Sequence, residues 1–260
     1  MRYLNNARIW LLALFFLATS CAAPASYRHI SSIDPVPFVK ALTERELLSE
    51  GLISTLDVRY RGDAGRYSGE VFLVLASSSR LRLEVPGSMG STFLVMVSDG
   101  RKVLVYYPGE GLAYMTSVGG ESLAPYLPFH FPLDPAWIPD LILGIIPEGV
   151  NTESARAYAT RSGKAVLYLD GSDGLSLQYV MLPGDPARLY AVTARKDSSI
   201  LTVTFASEDT NLPGKLDYRS AEGRTKVDFI QVRRADSLPE RAFESPVPSY
   251  ISVKDLEPVQ

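Results

Sequence analysis

Residues 80–100 read RLRLEVPGSMGSTFLVMVSDG and hold two strand patterns joined by a turn. In RLRLEV, apolar residues alternate with charged ones, a period of two that predicts a strand with one apolar face. The run after the turn is apolar on both faces, and Asp99–Gly100 is a strong β-hairpin signal. The stretch therefore predicts adjacent antiparallel strands, with Met89 as the one large side chain in the turn between them.

Similar patterns continue on both sides of this stretch, and they bring the count to about ten or eleven strands. The further segments are STLDVRYRG, GEVFLVLAS, RKVLVYY, KAVLYLD, LSLQYVML, RLYAVTARK, SILTVTFAS, GKLDYRS and TKVDFIQVRR. Short turn clusters connect most of them, which favours antiparallel neighbours. A single sheet with this many strands curls strongly. The expected class is therefore mainly β (α+β), with few helices.

Two helices are predicted, over residues 34–50 and 134–145. Each opens with Asp-Pro, which supplies an N-cap and a proline at the first helical position. Because several strands are apolar on both faces and helices are few, we predict an incomplete barrel. Its helices would lie as a lid across the open side of an apolar cavity. The pattern also permits a second interpretation, in which the surplus apolar residues pack a thick conventional core.

The N-terminus has the pattern of a lipoprotein export signal. Two arginines precede residues 9–18, an uncharged apolar run that is too short to span a bilayer of roughly 30 Å and suits a signal peptide. The following LATSCAA resembles the lipobox of bacterial lipoproteins, although Ala18 stands where that pattern prefers leucine. The resemblance implies cleavage before Cys21 and acylation of that residue. The alternatives are a secreted protein cut nearby or an uncleaved anchor.

These features divide the chain into four segments: a signal peptide over 1–20, a lipidated tether over 21–33, one domain over 34–246 and a loose tail over 247–260. Cys21 is the only cysteine, so no intrachain disulfide is possible. Ala22 follows it, which by the sorting rule of enteric bacteria implies the outer membrane. Two or three acyl chains give anchoring that one chain does not.

Composition and motifs argue against several functional classes. A formal net charge of −3 provides no basic footprint for nucleic acid. The two histidines, His29 and His130, stand apart, and no cluster of metal-ligand residue types is evident. Nucleotide-binding and nucleophile motifs are missing as well. We expect a protein that is not an enzyme and that uses no cofactor and no metal.

Three stretches resemble the LolB family and its LolB-like relatives, in order and spacing: LRLEVPGSMGSTFLVMVSDG, LPFHFPLDPAWIPDLILGIIPEG and ILTVTFASEDTNLPGKLDYRSAEGRTKVDFIQVRR. The similarity covers most of residues 52–233, with a poor match over 147–186. It implies an eleven-stranded antiparallel half-barrel with a helical lid over an apolar cavity. It further implies an outer-membrane lipoprotein that faces the periplasm, accepts acyl chains of other lipoproteins from a LolA-like carrier, and releases them into the membrane.

The resemblance also implies roles for particular residues. Met89 matches the apolar residue at the tip of the family's membrane-insertion loop, and Gly87 and Gly90 keep this loop thin. The alternative is an ordinary loop methionine that folds back on the sheet. The doubly apolar strands predict that the acyl cavity is lined by Leu83, Val85, Phe93, Val95, Tyr106, Trp137 and Leu141. Periodicity does not decide which face of these strands lines it.

The expected partners are outer-membrane lipids, lipoprotein acyl chains and a LolA-like periplasmic carrier, with no nucleic acid; we expect a monomer. Two other functions suit the same cavity. One is a carrier or store of a free lipid or glycolipid, which needs only the cavity. The other is a lipid sensor that reports envelope stress to a membrane partner.

Overall fold

A computed structural model of the protein describes residues 29–47, 51–63, 65–76, 79–118, 123, 126–127, 137–184, 187–205, 212–235 and 237–256. The predicted signal peptide, Cys21 and residues 22–28 of the predicted tether lie outside these ranges. His130 and the predicted start of the second helix at Asp134–Pro135 lie outside them too.

The described chain forms one 15-stranded sheet, in the order β1, β8 to β14, β2 to β7 and β15. All neighbouring strands are antiparallel except β15, which pairs parallel to β7. The strands are β1 His29–Ile33, β2 Leu52–Gly62, β3 Gly65–Leu75, β4 Arg80–Pro86, β5 Thr92–Asp99, β6 Lys102–Tyr107, β7 Leu112–Ser117, β8 Asn151–Thr160, β9 Ala165–Asp170, β10 Ser176–Leu182, β11 Arg188–Lys196, β12 Ser199–Phe205, β13 Pro213–Arg219, β14 Gly223–Arg234 and β15 Val253–Asp255. The predicted class, mainly β with an antiparallel sheet, is confirmed.

The two predicted helices are present in the described residues. Helix α1 spans Val36–Leu47, and the Val36 amide donates a 3.0 Å hydrogen bond to the Asp34 carboxylate before it. Helix α2 spans Ile138–Leu143, and Gly144, with a left-handed φ of 75°, ends it. Single 3-10 turns occur at Ser88–Gly90, Ser172–Gly174 and Glu240–Phe243.

The prediction of about eleven strands is wrong, since four strands were not foreseen: β1, β7, β8 and β15. Strand β8 begins with the exposed residues NTES, which carry no alternating apolar pattern. Strands β1 and β15 fall in the predicted tether and the predicted loose tail. Both pair with the edge of the sheet through their backbone, and such pairing needs no apolar side-chain pattern.

Both helices pack on one face of the sheet, which we call the helix-covered face. Leu42 of α1 and Ile138, Leu141 and Ile142 of α2 join a continuous cluster of buried side chains from the strands. Burying each such side chain contributes about 1.5–3 kcal/mol. Within this cluster the fully buried Tyr179 donates a 2.9 Å hydrogen bond to the carbonyl of Ile145, just beyond α2.

The opposite face of β4 to β7 is covered by the C-terminal segment, residues 237–256. Phe243 packs with Ala76, Val95 and Val97. Further along, residues of the segment pack on Leu104, Tyr106 and Ala113; they are Val247, Ile251 and Val253. The expectation of a loose tail is therefore wrong for its described part. This cover also explains why β5 and β6 are apolar on both faces.

Candidate lipid-binding face and tip loop

The loop between β4 and β5 is closed by hydrogen bonds between its two sides. The Gly87 amide donates to the Ser91 carbonyl at 2.8 Å, and the Ser91 hydroxyl donates to the Ser88 carbonyl at 2.7 Å. A Cβ at Gly87 would lie 2.8 Å from the Ser91 hydroxyl oxygen, so a larger residue there would disturb the closure. We call Gly87–Ser91 the tip loop.

Met89 stands at the tip with its side chain fully exposed. Its backbone is left-handed, with φ 56° and ψ 33°, and Gly90 follows with φ 77°. A side-chain-bearing residue in this region costs roughly 1–2 kcal/mol, and methionine has no polar group that would compensate locally. The side chain therefore does not fold back on the sheet as an ordinary loop methionine would.

The tip loop lies at one end of the sheet, together with the turns between β2 and β3, β6 and β7, and β13 and β14, as the strand registers require. We call this the tip end. Two more large apolar residues are substantially exposed here, Phe93 at 40% and Leu112 at 43%. Phe93 makes an edge-to-face contact with Tyr107, with ring centroids 5.5 Å apart. The tip end therefore presents several apolar side chains to solvent.

The structure brings four of the seven predicted lining residues together. Leu83, Val85 and Leu141 are buried in the cluster on the helix-covered face, and Trp137 packs against it. Phe93 lies where the β4–β5 register shifts, at the base of the tip loop.

Val95 and Tyr106 lie on the opposite face, under the C-terminal segment, and this corrects the predicted set. They are direct cross-strand partners and therefore share a face. Adjacent residues of a strand point to opposite faces, so a strand that is apolar throughout gives no signal about which face is which.

Among the described residues, two cavities that open at the surface lie away from these lining residues. One, of about 300 Å³, lies between α1 and the β10–β11 connection and is lined by Phe38, Ala41 and Pro183 among others. The other, of about 450 Å³, lies on the opposite face between Phe72 and Arg241. Neither touches Leu83, Val85 or Leu141, because the protein's own side chains fill the space between α1, α2 and the sheet.

Arg45 forms a polar link inside this apolar cluster. Its Nε donates a 2.9 Å hydrogen bond to the carbonyl of Leu143, at the end of α2, and its guanidinium carbon lies 5.0 Å from the centre of the Phe205 ring. Burial, and secondarily the charge of Arg234, lowers the pKa of Arg45 to about 10, so it stays charged at neutral pH. A Cβ at Gly144 would lie 2.8 Å from this Nε. Sequence analysis could have found the link, because Arg45 stands on the apolar stripe of α1.

The described residues contain no group of three or more histidine, cysteine, aspartate or glutamate side chains arranged to hold a metal ion. Among the helices in the described ranges, none combines the length and the apolar character needed to cross a membrane.

No family model matches the sequence, and the search of curated proteins gave no match either. Among solved structures, the protein is similar to a LolA superfamily protein from Nitrosomonas europaea, at 12% identity and a TM-score of 0.51. That match covers 82% of this chain and 98% of the other. It is also similar to a DUF1329 family protein from Desulfovibrio piger, at 12% identity and a TM-score of 0.50, over 85% of this chain and 100% of the other. At these identities the likeness shows the fold alone, and that fold is LolA-like rather than specific to the LolB family.

Proposed function

We propose that this protein is a lipid-anchored lipoprotein of the outer membrane that faces the periplasm. It takes up the acyl chains of other lipoproteins from a LolA-like carrier and inserts them into the membrane, without enzymatic chemistry. The LolA-like fold supports the binding of lipid or lipoprotein chains on a curved sheet. The lipobox pattern around Cys21 supports the anchor.

The exposed Met89 carries this proposal. In water, a fully exposed methionine in a left-handed backbone conformation adds no stability to the folded protein. Against a bilayer, the same side chain enters an apolar phase. Its flexible thioether adapts to disordered acyl chains, and the hydrogen bonds of the tip loop hold it outward.

Acyl chains would bind on the helix-covered face, where Leu83, Val85 and Leu141 now lie buried in one apolar cluster. To admit a chain, α1 and α2 must separate from one another, and the Arg45–Leu143 hydrogen bond between them is a polar contact that would open. A chain of about fifteen methylenes gains roughly 12 kcal/mol on burial at ~0.8 kcal/mol each. The acyl chain must therefore pass from one apolar environment to another, since the protein sequence has no nucleotide-binding motif that could drive its release.

The test is reconstitution with a lipoprotein-loaded LolA-type carrier and liposomes. We expect Met89→Glu to leave cargo uptake from the carrier intact and to stop delivery to the membrane, because a carboxylate cannot enter the hydrocarbon. Met89→Leu should deliver like the wild type. Ile230→Glu is the matched control, since Ile230 is also an exposed apolar residue but lies in the half of β14 away from the tip end. Equal delivery by Met89→Glu and Ile230→Glu would reject the role of the tip loop.

A further inference from the structure

Four arginines form a continuous row across the tip end of the sheet. Arg66 of β3 pairs with Arg61 of β2, Arg61 pairs with Arg224 of β14, and Arg224 pairs with Arg219 of β13. In each strand the residue next to the arginine points toward the helix-covered face, so the four arginines project from the opposite face. At the spacing of neighbouring strands, the row is about 14 Å long. We call Arg66, Arg61, Arg224 and Arg219 the basic row.

Like charges placed directly opposite one another destabilise a sheet. Asp217 offsets this for half of the row, because it accepts hydrogen bonds from Arg224 at 2.9 Å and from Arg219 at 3.2 Å. Arg61 and Arg66 are exposed and make no ion pair with any residue in the described ranges. The fold therefore keeps two adjacent guanidinium groups free for an external anion.

The next positions along the same strands strengthen this charge. Arg59 pairs with Lys226 immediately behind the basic row. Nearby carboxylates offset most of the surplus: Asp57 and Asp228 pair with Arg59, Glu70 lies opposite Asp57, and Asp63 and Glu222 lie in the adjoining turns. With Lys215, which pairs with Asp228, the seven cations of this region exceed these five carboxylates and Asp217 by one, although the chain as a whole has a formal net charge of −3.

The basic row and the tip loop lie at the same end of the sheet. Phe72 of β3 pairs with Glu84 of β4, and Arg66 lies six residues from Phe72 on the side of the tip loop. An apolar tip with arginines at the same end of the sheet matches a bilayer surface that has negative headgroups above its hydrocarbon.

We infer that the basic row binds the anionic headgroups of the membrane that Met89 enters, and so selects membranes that contain acidic phospholipid. This rests on the proposed membrane contact of Met89 and adds a lipid preference to it. Each basic side chain close to an anionic membrane strengthens binding about fivefold. Salt screens the attraction, whereas it does not weaken the apolar contact of Met89.

The acyl anchor would hold every variant on the vesicle, so the test must report on the tip itself. In the acylated full chain, Met89→Cys supplies a free thiol for a polarity-sensitive fluorophore, because acylation occupies Cys21. Docking of the tip is then measured on phosphatidylcholine vesicles with and without phosphatidylglycerol. In this background Arg61→Gln with Arg66→Gln is compared with Arg101→Gln with Arg161→Gln, two exposed arginines at the other end of the sheet.

We expect phosphatidylglycerol to increase docking and salt to reverse that increase. The Arg61/Arg66 variant should lower the ratio of docked to undocked tip by about twenty-five-fold on these vesicles, while the Arg101/Arg161 variant stays at the parent value. Thermal unfolding checks the fold, and removing two opposed charges should leave the midpoint unchanged or higher.

Two results would overturn the inference, and they differ in what they reject. Equal docking by the two paired variants on phosphatidylglycerol vesicles would reject the basic row as a headgroup site, including the case in which the row serves an acidic protein partner. If the fluorophore at position 89 reports a water-like environment on every vesicle, the membrane contact of the tip is rejected, and both proposals are rejected with it.

Discussion

Met89 and Gly90 follow one another in left-handed backbone conformations at the tip of a closed loop. Glycine is suited to such a position and methionine is not. At residue scale, then, the tip loop is less stable than it could be, and the residue responsible is the one that is fully exposed. Strain of this kind at an exposed apolar side chain favours a functional reason for the side chain.

Met89→Gly should therefore stabilise the protein by about 0.5–1 kcal/mol, because it removes the cost of a Cβ in the left-handed region. The same change should abolish membrane delivery, since no apolar side chain remains at the tip. Urea unfolding measures the first effect and the liposome assay the second, with Met89→Leu as the reference. A loss of stability instead would show that the Met89 side chain makes packing contacts in the folded protein.

At the scale of elements, a buried polar contact joins α1 and α2. The Arg45 guanidinium lies among apolar side chains and donates to the last carbonyl group of α2. Cations are favoured at the C-terminal end of a helix. Gly144 permits this approach, because a side chain there would meet Arg45, Leu189 and Phe205.

Arg45→Met should destabilise the protein by about 1.5–3 kcal/mol, the usual value of a hydrogen bond to a charged group, although methionine retains most of the apolar stem. Hydrogen exchange should increase first at residues 138–145, which lose their link to α1. Lys40→Met is the control on the same helix, because Lys40 is exposed and pairs with Glu44 at the surface. If exchange at 138–145 were the same in both variants, Arg45 would not hold α2 in place.

At the scale of the whole molecule, the sheet is covered on both faces, by helices on one and by the C-terminal segment on part of the other. The helix-covered face is filled by the protein's own side chains in the structure described.

We therefore expect organic extraction of the purified protein, followed by mass spectrometry, to release no lipid in stoichiometric amount or only mixed phospholipid. A single lipid species at one molecule per protein would contradict the insertion function and favour a lipid carrier, store or sensor. Buffer carried through the same extraction serves as the control.

The sequence by itself determined the class of fold, because alternating apolar residues and tight turns dictate local antiparallel pairing. It also determined the position of the tip loop and of both helices within a few residues. Only the tertiary structure decided which face each doubly apolar strand presents, and so placed Val95 and Tyr106 away from Leu83 and Val85. Local periodicity cannot predict which face is which, because the answer depends on the C-terminal segment, which packs on these strands from more than a hundred residues away in the sequence. For the same reason, the four arginines of the basic row, scattered over β2, β3, β13 and β14, became neighbours only when distant strands paired.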